Sequence, residues 1–285
     1  MNVRDLLEIE PWEWPDGAGE IFLGTLTDKQ ADKSDRLIAA KLGGDLVAMN
    51  EHLAKALLAI VADQNESDEL RAAAAIALGP VLEQGDIELL DEEDFDDPES
   101  VPISLETFRK LRDSLHALYA DERIPKLVRR RILEVAVRAQ QDWQKAAIKT
   151  AWSSGDNEWI LTAVFGMRHI RGFDKEILES LKSPSLEIRC EAVQAAGNWE
   201  LKEAWPYVVA LVQDPKTPKP LLLAAIDAVA SIRPKEAGPI LVELSDSRDE
   251  DIAAAADEAM AMAEANSGED FDEEEEDEDE EGWVN

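Results

Sequence analysis

Apolar residues recur at helical spacing through most of the chain, and many of them are small. Between Leu186 and Gly197, the residues Ile188, Ala192 and Ala196 fall four apart and form one stripe, kept shallow by alanines so that two helix backbones can approach closely. Just upstream, Ile177, Leu178 and Leu181 mark a shorter helix for which Asp174 is the expected cap. Ser183-Pro184 is expected to stop that helix and start the next, because serine caps and proline is tolerated in a first turn, and Gly197 is expected to close it. Ser247-Arg248-Asp249-Glu250 reads as a capping box ahead of Ile252, so another helix begins there.

The pattern also repeats over a longer distance. Lys202-Glu203-Ala204-Trp205-Pro206 returns thirty-three residues later as Lys235-Glu236-Ala237-Gly238-Pro239, and each copy is expected to open an apolar helix. A second signature runs through Ala136-Val137-Arg138-Ala139, Ala163-Val164-Phe165-Gly166, Ala192-Val193-Gln194-Ala195, Ala225-Ile226-Asp227-Ala228 and a weaker Ala256-Asp257-Glu258-Ala259, with starts 27, 29, 33 and 31 apart. Such a period holds two short helices and two turns. A unit of that kind must stack on its neighbours to bury its apolar face. The expected fold is all-α, a right-handed α-α superhelix of about six helix pairs.

The strings that carry the repeat resemble a known family. Glu236-Ala237-Gly238-Pro239-Ile240-Leu241 supplies a first half, while Leu186-Glu187-Ile188-Arg189-Cys190-Glu191-Ala192 and Glu69-Leu70-Arg71-Ala72-Ala73-Ala74 supply a second, each with glycine eight residues after its arginine, Gly197 and Gly79. Together they resemble HEAT repeats of the short bacterial phycobilisome-lyase-like type, over residues 45 to 265. The resemblance implies a HEAT-like solenoid and protein–protein scaffolding, and it transfers no catalytic residue. Two regions depart from it. Residues 85 to 104 form an acidic, proline-interrupted insertion expected to be an exposed loop, and residues 1 to 44, with Pro11-Trp12-Glu13-Trp14-Pro15, are expected to be N-terminal capping helices. Residues 266 to 285 are expected to be a disordered acidic tail.

Charge changes the picture because it is extreme and uneven. The formal net charge is -34. Residues 1 to 100 carry 25 acids against 7 bases, residues 101 to 172 carry 13 bases against 8 acids, and from Asn266 onward there are 12 acids and no base. The local positive stretch includes Arg123, Lys126, Arg129, Arg130 and Arg131, with Trp143, Trp152 and Trp159 after it. In the insertion, Glu93-Asp94-Phe95-Asp96-Asp97 echoes Glu269-Asp270-Phe271-Asp272-Glu273, and Trp283 follows the acidic run. Aromatic residues set among acids suit docking onto a basic, apolar groove. One reading has the tail or loop covering the arginines until a partner displaces it; the favoured reading is that the arginines balance neighbouring acids. Trp199 and Trp205 are expected to fill the wedge between neighbouring repeats.

Other chemistry finds no footing. Cys190 is the only cysteine, which excludes an internal disulfide and a cysteine-based metal cage. His52, His116 and His169 belong to no metal motif, and Asp91, Asp94 and Asp96 lack the glycine and final glutamate of a calcium loop. Nucleophile-elbow, phosphate-loop and dinucleotide motifs are absent. No run of eighteen apolar residues or secretory segment occurs, so a cytoplasmic protein is expected. The overall reading is a monomeric, non-enzymatic adaptor with no cofactor, metal, membrane or direct nucleic-acid contact. Its partner is expected to be a basic protein, met on the second helices near Arg138, Arg168 and Gln194 and by Phe95, Phe271 and Trp283. The alternatives are a nucleic-acid mimic or, as the family resemblance implies, a cofactor-handling enzyme with a pocket at Trp159 and His169.

Overall fold

The computed structural model describes residues 1–88 and 101–269, and every regular element among them is helical. They divide into two units, Met1–Ala151 and Trp152–Asn285. In chain order the first unit contains α1 (Val3–Leu7), a 3-10 turn at Pro11–Glu13, α2 (Ala18–Thr27), α3 (Lys33–Leu42), α4 (Glu51–Ala62), α5 (Asp68–Ala77), α6 (Gly79–Glu88), α7 (Leu105–Ala120), α8 (Lys126–Ala136) and α9 (Asp142–Trp152). Three antiparallel pairs, α2/α3, α4/α5 and α7/α8, stack so that the second helices α3, α5 and α8 touch in a row. Phe22, Leu53, Leu57, Phe108, Leu115 and Ile132 are fully buried between them. Each such side chain contributes about 1.5–3 kcal/mol by leaving water.

The turn within each pair is five residues long and is built the same way three times. Asp28, Asp63 and Asp121 end the first helices with ψ of 101°, 109° and 105°, and their carboxylates accept from the backbone N–H two residues on, at 2.8, 2.9 and 3.0 Å. That local bond directs the chain back without needing glycine. The fourth residue of each second helix is then an arginine. Arg36, Arg71 and Arg129 donate from Nε to the last-but-one carbonyl of the first helix, at Leu26 (3.2 Å), Val61 (2.9 Å) and Tyr119 (2.9 Å). These carbonyls have no partner within their own helix, so the arginine satisfies groups that burial would otherwise penalise. Arg36 also grips Glu66 with two bonds of 2.8 and 2.9 Å, joining the first pair to the second. Glu51 joins the second pair to the third by accepting from the Ser104 N–H (2.6 Å) and the Thr107 hydroxyl (2.5 Å). Burial opposes its charge, but these bonds prevail and hold its carboxyl down to about 2. Gln144 of α9 is fully buried and donates to the Ala136 and Ala139 carbonyls at 2.5 and 2.9 Å.

The second unit contains α10 (Asn157–Met167), α11 (Asp174–Ser180), α12 (Leu186–Asn198), a 3-10 turn at Lys202–Ala204, α13 (Trp205–Gln213), α14 (Lys219–Ile232), α15 (Pro234–Ser245) and α16 (Glu250–Glu269). Its pairs are α11/α12, α13/α14 and α15/α16, and its second helices stack with α10 in the order α10, α12, α14, α16. With three pairs in each unit, the described residues hold six, and the all-α stack of helix pairs is as expected. The alanine stripe is its core: Ala192, Ala195, Ala196, Ala224, Ala225 and Ala228 are buried.

Several local expectations are corrected. Asp174 is the first residue of α11 and makes no cap; Phe173 precedes the helix. Ser185, rather than Ser183, caps α12 by accepting from the Ile188 N–H at 3.4 Å, because Pro184 disfavours a helical backbone at Ser183. Gly197 lies inside α12, which continues to Asn198; a Cβ there would meet Ala228 Cα at 3.1 Å, so glycine permits the approach of α14. At α16 the Asp249 carboxylate, rather than the Ser247 hydroxyl, accepts from the Asp251 N–H at 3.1 Å. The Lys-Glu-Ala copies differ: Pro206 opens α13, whereas α15 has already begun at Pro234 and carries Pro239 inside it. The insertion is shorter than expected, since α6 runs to Glu88 and Val101 and Ile103 are buried in the core. Likewise α16 extends to Glu269, past the expected start of the tail.

Candidate partner-binding surface

The arginines expected to form a positive patch are mostly committed to the fold. Arg129 is the turn-closing arginine described above, and it also lies over the Tyr119 ring at 5.3 Å. Arg130 is buried with Glu134 at 4.0 Å, a carboxylate that Arg131 bonds as well. Arg123 is exposed but forks onto Asp121 at 2.8–3.2 Å, holding that carboxyl down to about 2. Lys126, at the start of α8, is half-buried. Arg138 pairs with Glu83, and Arg168 pairs with Glu191 at 2.9 Å while lying over the Phe165 ring. Gln194 is half-buried on α12. Phe95, Phe271 and Trp283 lie outside the described residues. Within the first unit, Arg123, Arg129, Arg130 and Arg131 therefore engage carboxylates and a carbonyl of their own fold.

The tryptophans are likewise absorbed locally. Trp205 is buried; Trp199 donates to the Met167 carbonyl at 2.6 Å beneath the Arg171 guanidinium, 4.6 Å from its ring centre. Trp143 stacks on His116 at 4.6 Å. Trp12 is different, being 76% exposed at the N-terminal end of the first unit.

A concave surface does appear across the second helices of the first unit. A groove of about 530 Å³ is lined by Leu37 and Lys41 of α3, Glu69, Ala72, Ala73, Ile76 and Ala77 of α5, and Leu127 and Arg131 of α8. Leu37 and Glu69 also line an adjoining recess of about 470 Å³ that holds Lys33 and the Arg36–Glu66 pair. The helix register explains the shape: Ala72 and Ala73 place methyl groups where the flanking helices carry longer chains. Ile76 and Leu127 remain 44% and 37% exposed on its rim. None of these apolar residues stands out in sequence, because alanines spaced for helix packing look the same whether a neighbour covers them or not. In the second unit the second helices bear carboxylates instead. Glu187 on α12, Asp227 on α14 and Asp257 and Glu258 on α16 are exposed. Although Asp227 is exposed, packing around it and then the nearby Glu258 push its carboxyl up.

Among the described residues no three His, Cys, Asp or Glu side chains gather as a metal site would require, and no helix is long and apolar enough to cross a membrane.

Comparison with known proteins bears on the repeat. No curated protein matches this sequence. Among solved structures, YibA of Escherichia coli is similar at 14% identity, with 91% of this chain and 85% of that one covered and a TM-score of 0.46. Human deoxyhypusine hydroxylase in complex with glycerol gives 14% identity, 90% and 87% coverage and a TM-score of 0.41. A designed armadillo repeat protein gives 18%, 85% and 98%, and 0.31. The sequence model of the family described as HEAT repeats matches residues 175–261, without separating the phycobilisome-lyase-like type from other HEAT repeats. That stretch begins in α11 and ends in α16, where the alanine stripe is most regular, and these residues carry HEAT repeats.

Proposed function

We propose that the chain is a monomeric, non-enzymatic adaptor of the cytoplasm that binds a basic protein. The observation that supports this best is the neighbouring pair of exposed carboxylates Asp227 and Glu258 on the second helices of the second unit, with Glu187 and Asp257 exposed on the same set of helices, in a chain of net charge -34. Burial and then the nearby Glu258 push the Asp227 carboxyl up, and a cationic partner would offset both. Opposite charge speeds encounter and makes binding salt-sensitive, while apolar contacts provide selectivity. Affinity capture from a native lysate tests the reading, using the full chain and an Asp227→Lys/Glu258→Lys variant at low and high salt. A stoichiometric basic protein that is lost in high salt and in the variant is the expected result. Capture of no protein at any salt, or purification with a coloured or small-molecule ligand, would overturn it.

A further inference from the structure

We infer that the groove across α3, α5 and α8 is a second docking site, and that its occupant is a short acidic segment of a partner protein carrying bulky apolar side chains. The proposal goes beyond the basic-partner reading and does not depend on it.

The floor of the groove supplies the apolar half. Leu37, Ala72, Ala73 and Ala77 form a depression whose rim exposes Ile76 and Leu127. Its volume of about 530 Å³ is within the range of sites that enclose a few apolar groups. Two large aliphatic side chains left in water on one concave surface mark a contact site more than two scattered on a convex one. Three stacked helices lie about 8–10 Å apart, so crossing them takes roughly 20 Å, which about six residues of extended chain would span.

The walls supply the electrostatic half. Lys33, Leu37 and Lys41 are four apart on α3, so an ammonium stands one turn to either side of the leucine. Neither lysine has an ion-pair partner among the described residues. Arg131 faces them from α8, its charge shared with Glu134. Glu69 is the one acid lining the larger cavity. In a chain that is otherwise strongly acidic, this apolar trough carries uncompensated positive charge at its edges. A lysine-rich segment meets repulsion from Lys33, Lys41 and Arg131. A nucleic acid finds too few cations and an apolar floor with nothing to offer phosphates. Acids flanking leucine-like anchors match both features, and Glu69 fixes where along the segment an acid must be missing.

Fluorescence anisotropy on the full chain tests this with three labelled peptides of about ten residues. Each has two leucines, flanked by Asp and Glu, by Ser, or by Lys. The acidic peptide is expected to bind about tenfold more tightly than the serine peptide, and the lysine peptide not to bind. Lys41→Glu should weaken the acidic peptide about tenfold, Lys41→Ser by less, and Ile76→Asp should abolish its binding, while Glu69→Gln strengthens it. Lys41 is exposed, so its variants keep the fold. Equal or tighter binding of the lysine peptide, or unchanged affinity in Lys41→Glu and Ile76→Asp, would overturn the proposal. So would a concentration-dependent dimer that Ile76→Asp dissolves, because the occupant would then be a second copy. Lys41→Glu should leave capture of a basic partner intact, so either site can fail without the other.

Discussion

In the first unit the fourth residue of every paired second helix is an arginine bonded to its partner helix, whereas in the second unit the same position holds Arg189, Leu222 and Ala253. Arg189 Nε finds no acceptor, and in the next pair the Thr217 hydroxyl reaches the Leu211 carbonyl at 2.7 Å instead. The cores differ in the same sense. Phe22 and Phe108 fill the first unit, while small alanines pack in the second, where a Cβ at residue 197 would meet Ala228 Cα at 3.1 Å. The two units thus differ in how much arginine fastening holds their pairs.

The largest expected effect probes that difference directly. Arg36→Met strands the Leu26 carbonyl and the half of Glu66 that faces it, and should lower the stability of the first unit by about 3 kcal/mol in urea denaturation. Next comes Gly44→Ala. A Cβ at Gly44 would lie 2.7 Å from Ala77 Cα and 2.8 Å from the Ala77 carbonyl oxygen, so a loss of about 2 kcal/mol is expected. Gly197→Ala, with its nearest contact at 3.1 Å, should cost less than half as much.

Acid sharpens the comparison further. The Glu51 carboxyl is held at about 2 in the folded chain, below its unfolded value, so the stability it contributes is complete above the usual carboxylate range and is lost as pH falls toward 2. Acid unfolding of the first unit should therefore be less steep over that window in Glu51→Gln than in the parent, as read by circular dichroism. The smallest effect is the control: Arg189→Leu should change stability by less than about 0.5 kcal/mol. If it costs as much as Arg36→Met, the units do not differ as described.

The helical stack was legible because its cause is a period. Ile188, Ala192 and Ala196 pack as their spacing says, and four of the five Ala signatures fall within α10, α12, α14 and α16, while the first begins at the last residue of α8. The caps were less legible. Ser183 and Ser185 are two residues apart with a proline between them, and both are plausible until the backbone angles are known. The basic stretch around Arg129–Arg131 was legible only in part: sequence counts charges, but not the particular carbonyls and carboxylates that occupy them. Arg129 looks like its neighbours, yet it is one of the three arginines placed ten residues after the carbonyl each one bonds. That interval was readable. The groove was not, since exposure of Ile76 and Leu127 depends on which helix ends beside them.

The aspartate-led turn has a consequence for how such a chain lengthens. Each pair of the first unit closes its own reversal with a side chain from within five residues, so it carries its instructions for folding back wherever it is placed. A copied or deleted pair brings or removes its turn intact. Variation in length is then tolerated between pairs and resisted inside them, as the contrast of the five-residue turns with the sixteen residues between α6 and α7 already shows. A duplication that split a pair of the first unit would separate the arginine from its carbonyl. Inheritance of this architecture is therefore expected to proceed in whole pairs.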